Sequence, residues 1–158
     1  MGLIPRFYDV QEGEVLVDGV NVKDYDRRTL RRKIGYVPQK ALLFKGTIME
    51  NIRFGDDSAS DERVKEAAAI AQSTDFIEDK PDGFDSSISQ GGSNVSGGQR
   101  QRLAIARAIV RKPEIYVFDD SFSALDFKTD SALRQALSKE TGNATVVIVA
   151  QRVSTIMN

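Results

Sequence analysis

The sequence contains neither cysteine nor histidine among its 158 residues. Without cysteine there is no disulfide, no thiolate metal ligand and no thiol nucleophile. Without histidine the commonest general base and metal ligand is missing as well. Any metal or acid–base chemistry therefore has to use carboxylates, amides, hydroxyls and lysines.

The chain also lacks long apolar runs and a strong net charge. Its apolar stretches, such as residues 146–150, fall far short of the ~20 residues of a membrane helix, and no signal-peptide pattern follows Met1. With 22 basic and 23 acidic residues the net charge is −1, which argues against bulk polyelectrolyte binding. We expect one soluble globular domain, or a piece of one, exposed to the cytoplasm.

The first part of the chain has the pattern of a small β-hairpin followed by a helix and a strand. Short β-branched runs at residues 14–17 and 20–22 flank Asp18-Gly19, a two-residue turn signal. Residues 26–33 are typical of a short basic helix. Residues 34–37 predict a strand that Pro38 ends.

The rest of the chain changes from helical patterns to strands alternating with helices. From residue 46 to residue 92 helices predominate, with Val64, Ala67, Ala68 and Ala71 spaced along one helix face. Beyond residue 92 the pattern predicts helices at 96–111 and 128–139 and apolar strands at 115–118 and 145–149. Apolar strands that alternate with helices indicate an α/β fold with a parallel sheet covered on both faces.

Two adjacent acids, Asp119 and Asp120, follow the buried strand directly. Ligands of parallel α/β sheets bind at the carboxyl ends of the strands. Adjacent carboxylates need a cation or hydrogen-bond donors to stay charged together, and Mg²⁺ prefers such hard oxygen ligands. The alternative is a solvated strand end whose acids cap the next turn.

A glycine-rich segment opens the helix that precedes this strand. Ser96 can cap the helix, while Gly97 and Gly98 leave backbone N–H groups open to an anion that the helix dipole favours. Gln99, Arg100 and Arg102 follow. The pattern predicts a phosphate-binding helix end, with an ordinary glycine-softened helix start as the alternative.

These motifs together resemble those of one family. VSGGQRQRLAIARA followed by IYVFDDSFSALD resembles the nucleotide-binding domain of ATP-binding cassette (ABC) transporters, specifically the exporters. LIPRFYDVQEGEVLVDG, YVPQKALLFKGTIMENIRFG and VAQRVSTI match in the same order, so the resemblance covers essentially the whole chain. It implies a partial P-loop NTPase-like ABC ATPase domain of a multidrug- or lipid-type half-transporter, with ATP and Mg²⁺ as cofactors.

The resemblance also implies a division of the chain. Residues 1–45 would hold the β-hairpin and the Q-loop, and residues 46–95 an inserted helical subdomain. Residues 96–158 would hold the signature helix, the Walker B strand, the D-loop and the switch strand. The chain would act at the cytoplasmic face of the membrane as part of a transporter.

By the same resemblance, two residues bind the metal and a further set binds nucleotide across a dimer. Asp119 matches the Walker B aspartate that holds Mg²⁺, and Gln39 the Q-loop glutamine that touches it. Ser96, Gly97, Gly98 and Gln99 match the signature motif, which contacts the γ-phosphate of ATP held by a second nucleotide-binding domain. Asp126 ends the D-loop at that interface. Residues 89–92 match the loop that meets the transmembrane domain, with Gln90 replacing its usual glutamate.

Two catalytic positions depart from the family pattern. Asp120 stands where hydrolytically competent members have glutamate, and its carboxylate is set back by roughly 1.5 Å. Gln151 stands where the family has its switch histidine, and glutamine cannot shuttle a proton. The resemblance therefore implies a degenerate site in a heterodimer, in which the intact signature motif serves the partner's site. The alternative is tolerated drift.

The phosphate-binding motif GxxxxGK[ST] does not occur in the 158 residues. In the family it lies just before the segment matching LIPRFYD, so we expect the chain to begin downstream of it. We also expect the missing segment to contain a strand beside residues 115–118, whose loss would expose sheet edges and favour an oligomer or a marginally stable fragment.

Two other functions remain as alternatives. In a soluble ABC-type ATPase of DNA repair or translation, the basic residues of the first helix would contact nucleic acid; they are Arg27, Arg28, Arg31, Arg32 and Lys33. A solvated helix face paired with nearby acids is the preferred interpretation, with no nucleic-acid partner. The other alternative is a non-catalytic interaction module.

Overall fold

The structure, a computed structural model, describes residues 1–150. In chain order its strands are β1 (Leu16–Val17), β2 (Val20–Asn21), β3 (Ile34–Val37), β4 (Gly46–Thr47), β5 (Ser87–Ile88), β6 (Ile115–Asp119) and β7 (Thr145–Val149). The α-helices are α1 (Arg27–Arg32), α2 (Ile48–Arg53), α3 (Asp61–Ile70), α4 (Thr74–Glu78), α5 (Gly97–Val110) and α6 (Phe127–Glu140). Short 3₁₀ helices lie at Gly83–Asp85 and Gln90–Gly92.

The predicted N-terminal hairpin is confirmed in a shorter form. β1 and β2 pair antiparallel, with Val17 opposite Val20. The two turn residues have φ angles of 52° at Asp18 and 76° at Gly19. A turn with both residues left-handed matches the twist of the flanking strands, and aspartate followed by glycine tolerates it.

The central sheet is parallel, as predicted, but its order corrects one expectation. The strands lie in the order β3, β6, β7. Val37 of β3 pairs with Phe118 of β6, which pairs with Ile148 of β7. Because β6 is hydrogen-bonded along both edges, no further strand can lie beside residues 115–118. Within residues 1–150 the two outer strands, β3 and β7, each have a neighbouring strand on one side only.

Burial follows this strand order. The β6 residues Tyr116, Val117 and Phe118 are buried, and the sheet is covered on both faces there. β7 differs from the expectation, because Val146 and Ile148 remain 40% and 41% exposed. β7 therefore receives less cover than β6 and less than β3, the other outer strand, whose Ile34 and Val37 are buried.

The helical segment between β4 and α5 contributes buried residues to the larger of the two described apolar clusters. Val64, Ala67, Ala68 and Ala71 are all fully buried, which confirms the predicted helix face. Helices α2 and α3 both pack against α5. Helix α5 in turn packs against β3, so this one helix joins the helical segment to the sheet.

Helix α5 begins after Ser96, as predicted, and α6 begins at Phe127, one residue before the predicted start at residue 128. Ser96 caps α5 and Asp126 caps α6. Among the described helices none is both long enough and apolar enough to cross a membrane.

Candidate functional site

Asp119 is the last residue of β6, and a side chain of the neighbouring strand holds it. The Tyr36 hydroxyl donates a hydrogen bond of 2.9 Å to Asp119 Oδ2. Tyr36 lies opposite Val117 in the sheet, and side chains two residues apart share a face, so Tyr36 and Asp119 lie on the same side. Burial and this hydrogen bond raise the pKa of Tyr36 to about 12, so the phenol remains a donor at neutral pH.

Asp120 is fixed through its backbone and its side chain. Its φ angle is 48°, in the left-handed region that aspartate tolerates better than most residues do. Its N–H donates to the Val149 carbonyl at 2.9 Å, and its own carbonyl accepts from Ser123 Oγ at 3.0 Å. The side chain is buried, and Gln39 Nε2 donates to its Oδ2 at 3.1 Å. The two neighbouring acids are therefore held by different donors.

Gln39 lies in the loop after β3, and two hydrogen bonds fix that loop. Ser121 Oγ, which is buried, donates to the Val37 carbonyl at 2.7 Å. Gln101 Nε2, from α5, donates to the Pro38 carbonyl at 3.1 Å. The loop that carries Gln39 is thus attached both to the loop after Asp119 and to the glycine-initiated helix.

The oxygen atoms at this sheet end fit a hard divalent cation. Among residues 1–150, no donor reaches Asp119 Oδ1 or Gln39 Oε1, so both keep their lone pairs. Mg²⁺ uses one or two such protein oxygens and completes its shell with water and phosphate oxygens. In the described part of the chain no three acidic residues gather as a metal cage. Asp119 Oδ1 and Gln39 Oε1 are the described oxygens that would hold such a cation.

The start of α5 has a reciprocal cap and two open glycines. Ser96 Oγ accepts the Gln99 N–H at 3.1 Å, and Gln99 Oε1 accepts the Ser96 N–H at 3.0 Å. The N–H groups of Gly97 and Gly98 have no acceptor within residues 1–150, as expected for a first helical turn. The space beside Gly97 is empty, whereas a Cβ on Gly98 would meet the Ala124 carbonyl at 3.2 Å. In the described structure no hydrogen bond joins this helix start to Asp119 or Asp120.

Asp126 caps a helix. Its Oδ1 accepts the Thr129 N–H at 2.9 Å, and its Oδ2 accepts the Thr129 hydroxyl at 2.7 Å. These hydrogen bonds lower the pKa of the Asp126 carboxyl. Helix capping explains locally why an aspartate occupies position 126. The spacing from Asp126 to Thr129 could have indicated this role.

Comparisons with known proteins agree on the family. The sequence profile of the ABC transporter family matches residues 1–123. An ABC transporter ATP-binding protein of Mycobacterium tuberculosis strain H37Rv is 47% identical over 98% of this chain. The chain belongs to the ABC transporter family. A Staphylococcus aureus protein named as a multidrug export ATP-binding/permease protein is 46% identical over 99% of the chain.

A solved ABC structure agrees at the level of the fold. A bacterial Atm1-family ABC exporter with ATP bound covers 98% of this chain with a TM-score of 0.95 and 40% identity. The described fold is accordingly part of an ABC ATPase domain. The chain spans 27% of the length of that exporter and of the curated ABC relatives named above.

Two further parts of the ABC pattern can be located. Residues 89–92 lie beside the segment after the Q-loop, where the Gly91 N–H donates to the Leu43 carbonyl at 3.0 Å. Gln90 Oε1 accepts the Lys45 N–H at 3.4 Å. Gln151 lies outside the described residues.

The basic helix α1 is only partly paired with acids. Lys33 contacts Asp18 at 3.1 Å and Glu114 at 2.7 Å, as the solvated-face interpretation expects. Arg31 instead donates to the Pro5 and Arg6 carbonyls, and its guanidinium lies over the Phe7 ring. The helix therefore binds neighbouring parts of the chain with two of its basic side chains.

Sequence reasoning missed several polar side chains that hold this ABC domain together. Arg107 donates to the Asn51 carbonyl at 2.8 Å and to the Leu42 carbonyl at 2.9 Å, and it lies beside the Phe44 and Phe54 rings. Burial lowers its pKa to about 10. An arginine within the apolar face of α5 was the available signal. Tyr36, Gln101 and Ser121 were missed as well.

Proposed function

We propose that this chain is part of the ATP-binding domain of an ABC exporter that couples ATP binding and hydrolysis to export of a substrate across a membrane. The observation that carries the proposal is the end of β6, where no donor among residues 1–150 reaches Asp119 Oδ1 and the Gln39 amide donates to the adjacent Asp120. We propose multidrug export as the type of transport, because the Staphylococcus aureus relative carries that name. The site of action is the cytoplasmic face of the membrane.

The proposed roles divide between two half-sites. Asp119 and Gln39 hold the magnesium ion, which when bound neutralises phosphate charge. Gly97 and Gly98 offer N–H groups to the γ-phosphate of ATP on a second nucleotide-binding domain, with Ser96 and Gln99 beside them. The lack of any described hydrogen bond between the start of α5 and the acid pair supports this division.

The acid pair belongs to a degenerate site in this proposal. Asp120 is one methylene shorter than the glutamate of hydrolytically competent members, so it orients the attacking water poorly. Gln151 has no proton to shuttle. The partner is then a second, unequal ABC nucleotide-binding domain, met through residues 123–126, including Asp126. The transmembrane domain is the other partner, met through the Gln39 loop and residues 89–92.

The proposed division of the chain follows the same roles. Residues 1–45 carry the hairpin and Gln39, residues 46–95 the helical subdomain, and residues 96–158 the signature helix and the acid pair. Helices α2, α3 and α4 all fall within the second range, which supports it.

Replacing Asp119 with asparagine in the full-length transporter tests the metal role. We expect the magnesium-dependent part of ATP binding to weaken by about 10-fold, because a neutral amide attracts the cation less than a carboxylate does. Equilibrium titration with a fluorescent ATP analogue, with Mg²⁺ and with EDTA, measures it. Equal affinity of the variant and the parent in Mg²⁺ would contradict the proposal.

The 158-residue chain by itself is expected to bind ATP too weakly to detect at micromolar concentration. It lacks the lysine and the backbone N–H groups with which GxxxxGK[ST] surrounds the β- and γ-phosphates. The same fluorescent titration on the isolated chain measures this. A dissociation constant in the micromolar range would show that the prediction is wrong.

A further inference from the structure

Tyr36 is the described residue that contacts the Asp119 carboxylate, and none of the family motifs quoted above gives it a role. Its hydroxyl lies 2.9 Å from Asp119 Oδ2, and both side chains are half-buried. A phenol that only needed a partner could use water at a half-exposed position. The contact thus joins a strand residue to the acid at the end of the next strand.

The Tyr36 ring is itself held in place. The Phe7 ring meets it edge-on, with 5.2 Å between ring centroids and an interplanar angle of 86°. The backbone is held as well, because Gly35 and Tyr36 pair with Tyr116 and Val117 across the sheet. A ring fixed by a sheet and by an aromatic neighbour gives its hydroxyl a fixed position.

A fixed donor changes what Asp119 can offer. A carboxylate at a strand end can rotate and present either oxygen to a cation. The hydrogen bond to Oδ2 restricts that rotation and leaves Oδ1 without a donor in the described structure. Hydrogen bonds to ligating carboxylates orient them, and their loss weakens metal affinity by about 10- to 100-fold.

We propose that Tyr36 is a positioning residue for Asp119, which fixes the carboxylate so that Oδ1 is presented to the magnesium ion of the nucleotide site. The inference rests on the proposed function, since it assumes that Asp119 binds the metal. Tyr36 acts on the metal through its hydrogen bond to Asp119 in this proposal. Tyr36 in β3 and Gln39 in the loop that follows would then each act on one member of the acid pair.

The test is Tyr36→Phe in the full-length transporter, with Mn²⁺ as the probe. The substitution keeps the ring and its contact with Phe7 but removes the hydroxyl. In the presence of a non-hydrolysable ATP analogue, we expect Mn²⁺ affinity, measured from the paramagnetic resonance signal of free Mn²⁺, to fall by about 10-fold. Nucleotide affinity in EDTA and the thermal unfolding midpoint should stay close to those of the parent.

Tyr25→Phe is the matched control. The Tyr25 hydroxyl donates to the Val17 carbonyl at 3.0 Å and is also partly buried, so its loss removes one phenolic hydrogen bond away from the acids. Its Mn²⁺ affinity should equal that of the parent. Two results would overturn the inference in favour of a general structural role. One is a similar loss of Mn²⁺ affinity in Tyr25→Phe. The other is a loss of nucleotide affinity measured in EDTA in Tyr36→Phe.

Asp119→Asn separates this inference from the function on which it rests. If Asp119→Asn weakens Mn²⁺ binding and Tyr36→Phe does not, the role of Tyr36 is wrong and the metal site stands. If Asp119→Asn leaves Mn²⁺ binding unchanged, the proposed function fails and the role of Tyr36 fails with it.

Discussion

Asp120→Glu in the reconstituted heterodimer is expected to raise ATP hydrolysis at this site by about 10²-fold. The extra methylene moves the carboxylate forward by roughly 1.5 Å, toward the water that it has to orient. A misplacement of about 1 Å in a catalytic group can reduce a rate by that factor. Single-turnover measurements with the partner's site inactivated isolate the rate of ATP hydrolysis at the site that contains Asp120.

The surroundings of Asp120 decide how that experiment is controlled. The backbone of Asp120 is left-handed, with φ of 48°, a conformation that glutamate adopts less readily than aspartate does. A small loss of thermal stability should therefore accompany the gain in hydrolysis rate. Asp120→Asn leaves the side-chain length unchanged and should give no gain. Adding Gln151→His supplies the missing proton carrier and should raise the rate further. If Asp120→Glu, alone and combined with Gln151→His, hydrolyses ATP as slowly as the parent does, the degenerate-site proposal is wrong.

Gly55→Ala is expected to lower the free energy of unfolding of the 158-residue chain by about 3 kcal/mol. Gly55 follows α2, and a Cβ there would lie 2.0 Å from the Arg107 carbonyl oxygen and 2.8 Å from Val110 Cγ1. The oxygen belongs to the backbone of α5 and cannot move without distorting that helix. Urea unfolding followed by circular dichroism measures the change.

Gly97→Ala is the matched control for this substitution. Gly97 is the first residue of α5, and no atom lies within 4 Å of the position that a Cβ would take. We expect its free energy of unfolding to stay within about 0.5 kcal/mol of the parent's. If both glycines tolerate alanine equally well, the close approach of Gly55 to α5 does not limit the packing of the helical segment.

Helix starts and strand positions were predictable because they depend on local sequence. Ser96 and Asp126 cap their helices as their residue types suggest, and residues 34–37 and 145–149 are strands. The order of the sheet was not predictable in the same way. An apolar run predicts a strand, but it does not show which strands flank it, and the apolar run of β7 remains partly exposed. The expected open position beside β6 was wrong for that reason.

The candidate site divides along the same line. Asp119 and Asp120 were placed at a strand end by the alternation of strands and helices, whereas Gln39 was assigned only by the resemblance to the ABC family. The contact of Tyr36 with Asp119 depends on the register that sets Tyr36 opposite Val117, which no local pattern encodes. Gln101 was missed because its partner, the Pro38 carbonyl, is a backbone atom distant in sequence.

The reciprocal cap at the start of α5 determines which ligand chemistry this helix end can accept. Ser96 Oγ and Gln99 Oε1 have each accepted one hydrogen bond, while the Ser96 hydroxyl, the Gln99 amide and the Gly97 and Gly98 N–H groups have no acceptor within residues 1–150. A group rich in lone pairs on every side satisfies them all. A phosphate that is protonated or esterified at its end offers fewer lone pairs and less charge. On the proposed function, we therefore expect this helix end to bind a fully charged terminal phosphate more tightly than an esterified one.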